Sequence, residues 1–433
     1  MRRLLVTAFA ALIAASCSKA GPARAPRDAE EARALALAPP PRGAPMEEEL
    51  SRIEQTVRNN PRKLDAWISL GNGWVRQARR SGDPGFYLNA AACASLALDV
   101  EPDAPSALSL RALAELNEHR FADARATARR VLTQRPEDAE ALGLLSDAEL
   151  ELGHFDAAAA AAQQMMDVKP NLPSYSRASY LQWLQGDVAG AKESAREAID
   201  SGWAQHDVEP LAWVFVQAAM LFWHQGDYLG ADAGFDQALV LIPDYAPALV
   251  GKGRVAMAAG DGARAAALFR KALAKTPLVE TQALLADALE MSGDAHGAGA
   301  AREAALREGR QRDRLSAALL LTSRGESARD ALALLEEERK VRGCVYLDDA
   351  YAWALYRAGR YAEAQAASDR ARALGTQDAR LLFHAGAIRL ARGDAAGAEL
   401  VRRAVALNPS FDVASAAEAR QLLARSSATG SAR

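Results

Sequence analysis

Small residues and polar turns alternate on a period of 33 or 34 positions through most of this chain. A Gly-centred turn is followed five residues later by alanine at Gly153/Ala158, Gly186/Ala191, Gly226/Ala231, Gly260/Ala265, Gly293/Ala298, Gly359/Ala364 and Gly393/Ala398. Seven residues before each turn stands Ser146, Ser179, Ala219, Gly253, Ala286, Ala352 or Gly386. Two small positions flanking a tight turn let antiparallel helices approach closely, so the pattern predicts a helix hairpin repeated along the chain. Prolines mark the same period: Pro102, Pro136 and Pro170 are 34 apart, as are Pro243 and Pro277, and each stops an Ala/Leu-rich helix because it lacks the N–H that would continue it.

The flanks carry different patterns. Residues 46–60 hold an N-terminal capping helix: Leu50, Ile53 and Val57 share one face, acidic residues fill the first turn, and Pro61 ends it. Residues 411–425, rich in Ala, Glu and Arg after Pro409, predict the polar C-terminal cap that a stack of hairpins needs on its last open face, and 426–433 is expected to be a disordered tail. Residues 17–45, rich in Ala, Pro and Arg, show no sustained amphipathic pattern and predict an extended tether.

The hairpin pattern resembles the tetratricopeptide repeat (TPR) family. Ala66 to Trp74, AWISLGNGW, carries the family's Trp, Leu, Gly and aromatic positions, and Ala350 to Ala364, AYAWALYRAGRYAEA, carries its Ala, Leu, Gly-x-Tyr and Ala. With His119 and Gly325 as degenerate turns and Gly82 as a turn before an insertion at Pro84 to Tyr87, about ten repeats fit, from Leu64 to Leu407. The resemblance implies an all-α solenoid over 61–410, a right-handed superhelix closed by terminal caps. Repeat eight departs from the pattern, with Asp330 in the alanine's place and Ala331 beside it. The step between Gly186 and Gly226 lengthens to 40 residues, which predicts an irregularity there.

The first residues resemble a bacterial lipoprotein signal. Arg2 and Arg3 precede the apolar run Leu4 to Ala15, too short to span a bilayer, and Ala14-Ala15-Ser16-Cys17 follows. The resemblance implies a signal peptide over 1–16 and lipidation of Cys17, with ordinary secretory cleavage nearby as the alternative. Ser18 in place of aspartate points toward the outer membrane, facing the periplasm.

Composition narrows the chemistry. The chain is half apolar and 6% aromatic, with a net charge of −3, which suits close-packed helices and offers nothing to attract nucleic acid. Beside Cys17 there are only Cys93, read as a packing residue, and Cys344, about 250 residues away in a fold whose distant repeats are not expected to touch, so no disulfide is expected. Six scattered histidines have no ligand spacing, and no phosphate loop or nucleophile-base set stands out. No cofactor, no metal and no catalytic residue is therefore expected.

Function then falls to the surface. Carrying over the family's groove positions places Tyr180, Trp183, Trp213, Met220, Trp223, Arg254, Trp353, Tyr356 and Phe383 in a partner-binding groove, together with Asp65, Ile68, Asn72, Val75, Ser176, Val216, Met257, Tyr346, Asp349 and Arg380. Four of seven tryptophans, Trp183, Trp203, Trp213 and Trp223, lie within about 40 residues of each other. Two readings of them stay open, groove anchors or core filling, with Trp203 assigned to filling and Trp183 and Trp223 to the groove. Glu115, Glu149 and Gln182 fall where a hairpin contact is usually apolar; either the register slips locally so that they reach water, or Arg111 and Glu115 pair at i, i+4, or the three form a polar ladder along the inner wall for a ligand. The resemblance implies a non-catalytic envelope scaffold, binding envelope proteins or peptides in its groove in support of pilus, secretion or outer-membrane assembly. A glycan- or peptidoglycan-associated binder using the tryptophans is the alternative.

Overall fold

The computed structural model describes residues 28–44, 46–203, 208–325 and 327–430, which form 23 helices and no strands. Two leading helices, α1 (Ala29–Ala36) and α2 (Glu47–Asn59), precede ten hairpins. The first four are α3 (Leu64–Ser81) with α4 (Phe86–Val100), α5 (Pro105–Asn117) with α6 (Phe121–Gln134), α7 (Ala139–Glu151) with α8 (Phe155–Val168), and α9 (Leu172–Leu184) with α10 (Val188–Gly202). The next three are α11 (Glu209–His224) with α12 (Tyr228–Leu241), α13 (Ala246–Ala258) with α14 (Gly262–Lys275), and α15 (Val279–Met291) with α16 (Ala295–Arg312). The last are α17 (Arg314–Ser323) with α18 (Ala328–Glu338), α19 (Val345–Arg357) with α20 (Tyr361–Ala371), and α21 (Ala379–Ala391) with α22 (Gly397–Leu407), before α23 (Val413–Gly430). The chain divides into two compact units, residues 1–177 and 178–433, with the boundary inside α9.

Each hairpin turn is built the same way. Gly153 adopts φ 82°, His154 N–H donates to Glu149 O at 2.8 Å and Gly153 N–H to Leu150 O at 3.0 Å, which satisfies the last carbonyls of α7. Gly186, Gly226, Gly260 and Gly293 repeat this backbone, and the aspartate after each one caps the next helix with its side chain. His119 takes the same place with φ 58°, so the degenerate turn is real and carries a side chain where the backbone favours none.

The small positions lie where the period puts them. Ala158, Ala191, Ala231, Ala265, Ala298 and Ala364 are buried, and Ser146 and Ser179 donate across the hairpin to Ala158 O at 2.9 Å and Ala191 O at 2.7 Å. Gly253 is forced: an added Cβ would stand 2.3 Å from the Phe269 ring. Two hairpins slip. In the eighth, Ala331 is buried and the exposed Asp330 pairs with Arg310 at 3.0 Å; in the tenth, Gly397 is buried against Gly386 and Ala398 is not.

First helices touch first helices of the next hairpin, α3 with α5 and α5 with α7 in unit 1, and α11 through α21 in series in unit 2. Among the described residues second helices show no comparable contact, so within each unit the stack curves with its first helices inside.

Unit 1 corrects the tether over 17–45. Residues 29–36 are helical, Asp28 caps them by accepting from Glu30 and Glu31, and Ala32 and Ala36 are buried against α4. Two buried alanines on a short helix give little hydrophobic signal, which is why composition alone read as linker. Backbone oxygens complete the dock: Ala36 O accepts from Trp74 Nε1 at 3.1 Å and Leu35 O from Asn89 Nδ2 at 2.7 Å. The signal segment and Cys17 lie outside the described residues.

Unit 2 corrects the expectation that distant repeats do not touch. Thr376 Oγ1 donates to Leu184 O at 2.6 Å, Asn408 Nδ2 to Trp223 O at 2.8 Å, and Tyr228 OH to Asn408 Oδ1 at 2.7 Å, so hairpins four and five meet hairpin ten and the start of the cap. The turn glycines permit it: an added Cβ on Gly186 would lie 2.4 Å from Gly375 O, and one on Gly226 2.8 Å from Leu407 O. Beyond the expected 411–425, α23 continues as helix to Gly430 where a disordered tail was expected, and it is held through Arg357 to Glu418 at 2.6 Å.

Candidate functional site

The aromatic groove does not form. Trp183, Trp213 and Trp223 are only 3%, 7% and 4% exposed, whereas Trp203 is 58% exposed, the reverse of the assignment from sequence. The seam supplies the reason. Trp183 Nε1 donates to Tyr346 OH at 3.1 Å, 163 residues away, and its ring lies 4.6 Å from His224, while Trp223 packs 5.2 Å from Tyr228 in the core of hairpin five. Met220 is half-buried in that core, and Val216 and Met257 are buried. Trp353 and Phe383 are interior too: Trp353 stacks on His384 at 4.0 Å and Tyr356 at 4.7 Å, and Phe383 meets Phe411 of the cap at 5.9 Å. These rings fill the space between α19, α21 and α23, so neither group offers a face to a sugar.

Polar side chains remain on the inner helices of unit 2. His224 Nδ1 stands 3.3 Å from Asp378 Oδ2, and burial pushes its pKa below the usual histidine value, with Asp378 opposing and Arg254 and Arg380 reinforcing. Arg254 pairs with Glu280. Arg380 faces Asp349 at 3.7 Å; burial works against its charge, and the carboxylates of Asp378 and Asp349 outweigh that and raise its pKa. Asp349 is itself buried and accepts from His384 Nδ1 at 2.9 Å. Asp287 is pushed up to about 6 by burial and by Asp412, although Arg324 donates to it at 3.2 Å. Charges from α11, α13, α15, α17, α19 and α21 therefore share one wall. Among the described residues no three His, Cys, Asp or Glu side chains are grouped to hold a metal ion.

Comparison with known proteins places this geometry. Tetratricopeptide repeat families match residues 115–180 and 216–280. The chain carries tetratricopeptide repeats over these two stretches. No curated protein matches its sequence. Among solved structures, a tetratricopeptide repeat protein from Parabacteroides merdae is 17% identical, covering 56% of this chain and 92% of that one with a TM-score of 0.43. PilW, described as a widely conserved type IV pilus biogenesis factor, is 15% identical over 53% and 98% of the two chains, with a TM-score of 0.41. The human IFIT1 dimer with PPP-AAAA is 16% identical over 88% and 90%, with a TM-score of 0.49.

Within TPR hairpins two and three, the irregular acids are ligated by the chain itself. Glu115 is buried and accepts from Arg111 Nε at 3.0 Å and Thr127 Oγ1 at 2.8 Å; Glu149 is buried and accepts from Arg129 at 2.6 Å with His154 Nδ1 at 2.7 Å. Gln182 similarly meets Gly190 O, Ala178 O and Ser194 Oγ once its amide is oriented to suit them. The pairing reading of Arg111 and Glu115 is right, and the ligand ladder is wrong: a buried carboxylate survives only when donors surround it, and here they are internal.

One buried pair escaped the sequence entirely. Arg177, fully buried, donates from Nε and Nη2 to the two oxygens of Asp147 at 2.9 and 2.6 Å, across 30 residues. Gly143 makes the room, since an added Cβ would lie 3.0 Å from the guanidinium carbon. The i, i+30 spacing, nearly one repeat, is the signal that could have found it. Of the remaining groove positions, Asp65 is exposed, Val75 is buried, and Ile68, Asn72, Ser176 and Tyr180 are half-buried. Cys93 is a buried thiol whose pKa burial pushes up, and neither it nor Cys344 is in a disulfide.

Proposed function

We propose that this chain is a non-catalytic scaffold of the cell envelope, exported and lipid-anchored through Cys17 in the outer membrane, that holds partner polypeptides on its inner wall. TPR arrays are generally interaction scaffolds, and fold alone does not choose the partner. The observation that carries the reading is the line of charged side chains on successive first helices, from His224 and Arg254 through Asp287 and Arg324 to Asp378 and Arg380. Both signs occur along it, and several groups are partly desolvated, so charge complementarity to an extended segment would favour a specific partner. Export rests on Arg2, Arg3, the apolar run and Cys17, and support of pilus, secretion or outer-membrane assembly is the process that such an anchored scaffold would serve.

Fractionation and cross-linking in the native cell test the two halves separately. Cys17→Ser should move the protein out of the membrane fraction or leave the precursor uncleaved. Arg254→Gln with Arg380→Gln should abolish a cross-linked partner band on a variant whose circular dichroism stays native, at some cost in stability because Arg380 faces the buried Asp349. Unchanged mass and fractionation remove the anchor. An unchanged band on a normally folded variant removes the inner wall.

A further inference from the structure

The seam of unit 2 differs in kind from every other contact in the unit. Within hairpins, helices pack along their length; across the seam no helix of α9–α12 packs extensively on α19–α23. Polar contacts of single side chains join them, with Tyr228 OH donating to Asn408 Oδ1 at 2.7 Å among them. Trp183 Nε1 reaches Tyr346 OH at 3.1 Å, Thr376 Oγ1 reaches Leu184 O at 2.6 Å, and Asn408 Nδ2 reaches Trp223 O at 2.8 Å, with His224 against Asp378 at 3.3 Å. Leu184 O lies at the C-terminal end of α9, where helices leave carbonyls unsatisfied, and Trp223 O also accepts from Gly226 N–H at 2.9 Å, so water can replace either seam donor. Breaking the seam therefore frees carbonyls that hydrate readily, at the cost of exposing the Trp183 ring, and hairpin five keeps its own core.

Inside the seam lie Trp183 and His224, ring against ring at 4.6 Å, together with Tyr346. These are the large side chains of the inner wall, and the closed turn seals them off. We propose that unit 2 is a latched superhelical turn: the contacts of Trp183, His224, Thr376 and Asn408 open reversibly while the hairpins stay folded, and opening uncovers Trp183 and Tyr346.

Hydrogen exchange of the full chain reads it. In the wild type, amides at 184–187, 224–227 and 375–378 should exchange faster than those in the centres of α12 and α14. In Thr376→Val with Asn408→Ala, the seam amides should speed up on the order of tenfold, the amount that losing one or two net hydrogen bonds allows. Hairpin interiors and the far-ultraviolet circular dichroism should stay unchanged, and tryptophan quenching by acrylamide should rise. Tyr346→Phe, which keeps the phenyl ring and removes only the hydroxyl that accepts from Trp183 Nε1, is the milder variant and should show the same pattern at smaller amplitude. Unchanged seam exchange in both variants overturns the latch. Loss of protection throughout unit 2 in the milder variant also overturns it, because the seam is then part of one cooperative core. Neither result touches the partner cross-link, so the two readings fail separately.

Discussion

Trp74 in unit 1 and Trp183 in unit 2 are equally buried, yet different parts of the chain bury them. Trp74 Nε1 finds Ala36 O 38 residues away, Trp67 Nε1 finds Pro61 O at 2.8 Å, and leading helices α1 and α2 cover that end of the unit. Trp183 is closed over by Tyr346, 163 residues on. Local covering by α2 can be found from its amphipathic pattern, and α1, held by two alanines and backbone oxygens, lies close in sequence to what it covers. Covering by a superhelical turn depends on the sum of small rotations between hairpins, and no residue encodes that sum.

The largest effects should come from the tryptophans themselves. Trp74→Ala should cost unit 1 about 3–5 kcal/mol, and Trp183→Ala with Trp223→Ala should cost unit 2 at least as much, because each leaves a cavity among buried neighbours. Denaturant unfolding combined with limited proteolysis assigns each loss to its unit. Normal stability in the double variant would return these rings to an open groove and dissolve the contrast with Trp74.

A smaller loss should separate contacts inside hairpins from the seam. Ala231→Leu or Ala265→Leu, at fully buried sites, should overpack the paired helices by about 1–3 kcal/mol, while Arg264→Leu on the exposed face of α14 should be nearly neutral. Equal midpoints for all three would mean that the repeat register is wrong.

This register is the part of the fold that the sequence displays best. Gly-x4-Ala and its partner seven residues earlier placed seven of the ten turns, and the structure moved the buried small residue by one only at Ala331 and Gly397. The candidate site was less legible. The family's positions put Arg254 and Arg380 on the inner wall, leave Trp183 and Trp223 open between groove and core, and put Trp353 and Phe383 in the groove; all four rings are buried, because groove positions are exposed only where the superhelix stays open. Residues 29–36 were lost to composition, since their docking depends on two alanines and two backbone carbonyls.

The units should also respond differently to pH. In unit 1, burial and the nearby Asp138 push Glu140 up to about 7 despite Arg79, Arg177 and Lys169. A carboxyl raised on folding is protonated more readily in the native state, so it destabilises as pH rises from its unfolded value through 7. Glu140→Gln should therefore stabilise unit 1 by about 1–2 kcal/mol at pH 8, discounted because the residue is only partly buried, and change nothing at pH 4. In unit 2 two groups oppose each other. Asp287, raised to about 6, favours folding as pH falls below that value, whereas His224, lowered by burial, takes stability away as pH falls below the unfolded histidine value. The pH profile of His224→Gln should be steeper in the acid-stabilising direction than that of the wild type, and a parallel profile would remove His224 from the seam.

The smallest effect is expected at a turn, where the comparison reduces to one backbone angle. His119 and Gly153 close consecutive hairpins of unit 1 with φ 58° and 82°, and both donate from the backbone N–H to the helix just ended. A side chain in the left-handed region costs about 1 kcal/mol relative to glycine, because Cβ crowds the following carbonyl. His119→Gly should recover part of that cost. The ring also rests on Phe121 at 5.5 Å, and losing this contact offsets some of the gain, so a net stabilisation of about 0.5 kcal/mol is expected. Gly153→Ala, the reverse change at the next turn, should destabilise by about 1 kcal/mol. Opposite signs from the two variants would establish that the turn conformation, and not the residue found there, is what the 34-residue period preserves; equal signs would show that His119 holds its turn through its ring.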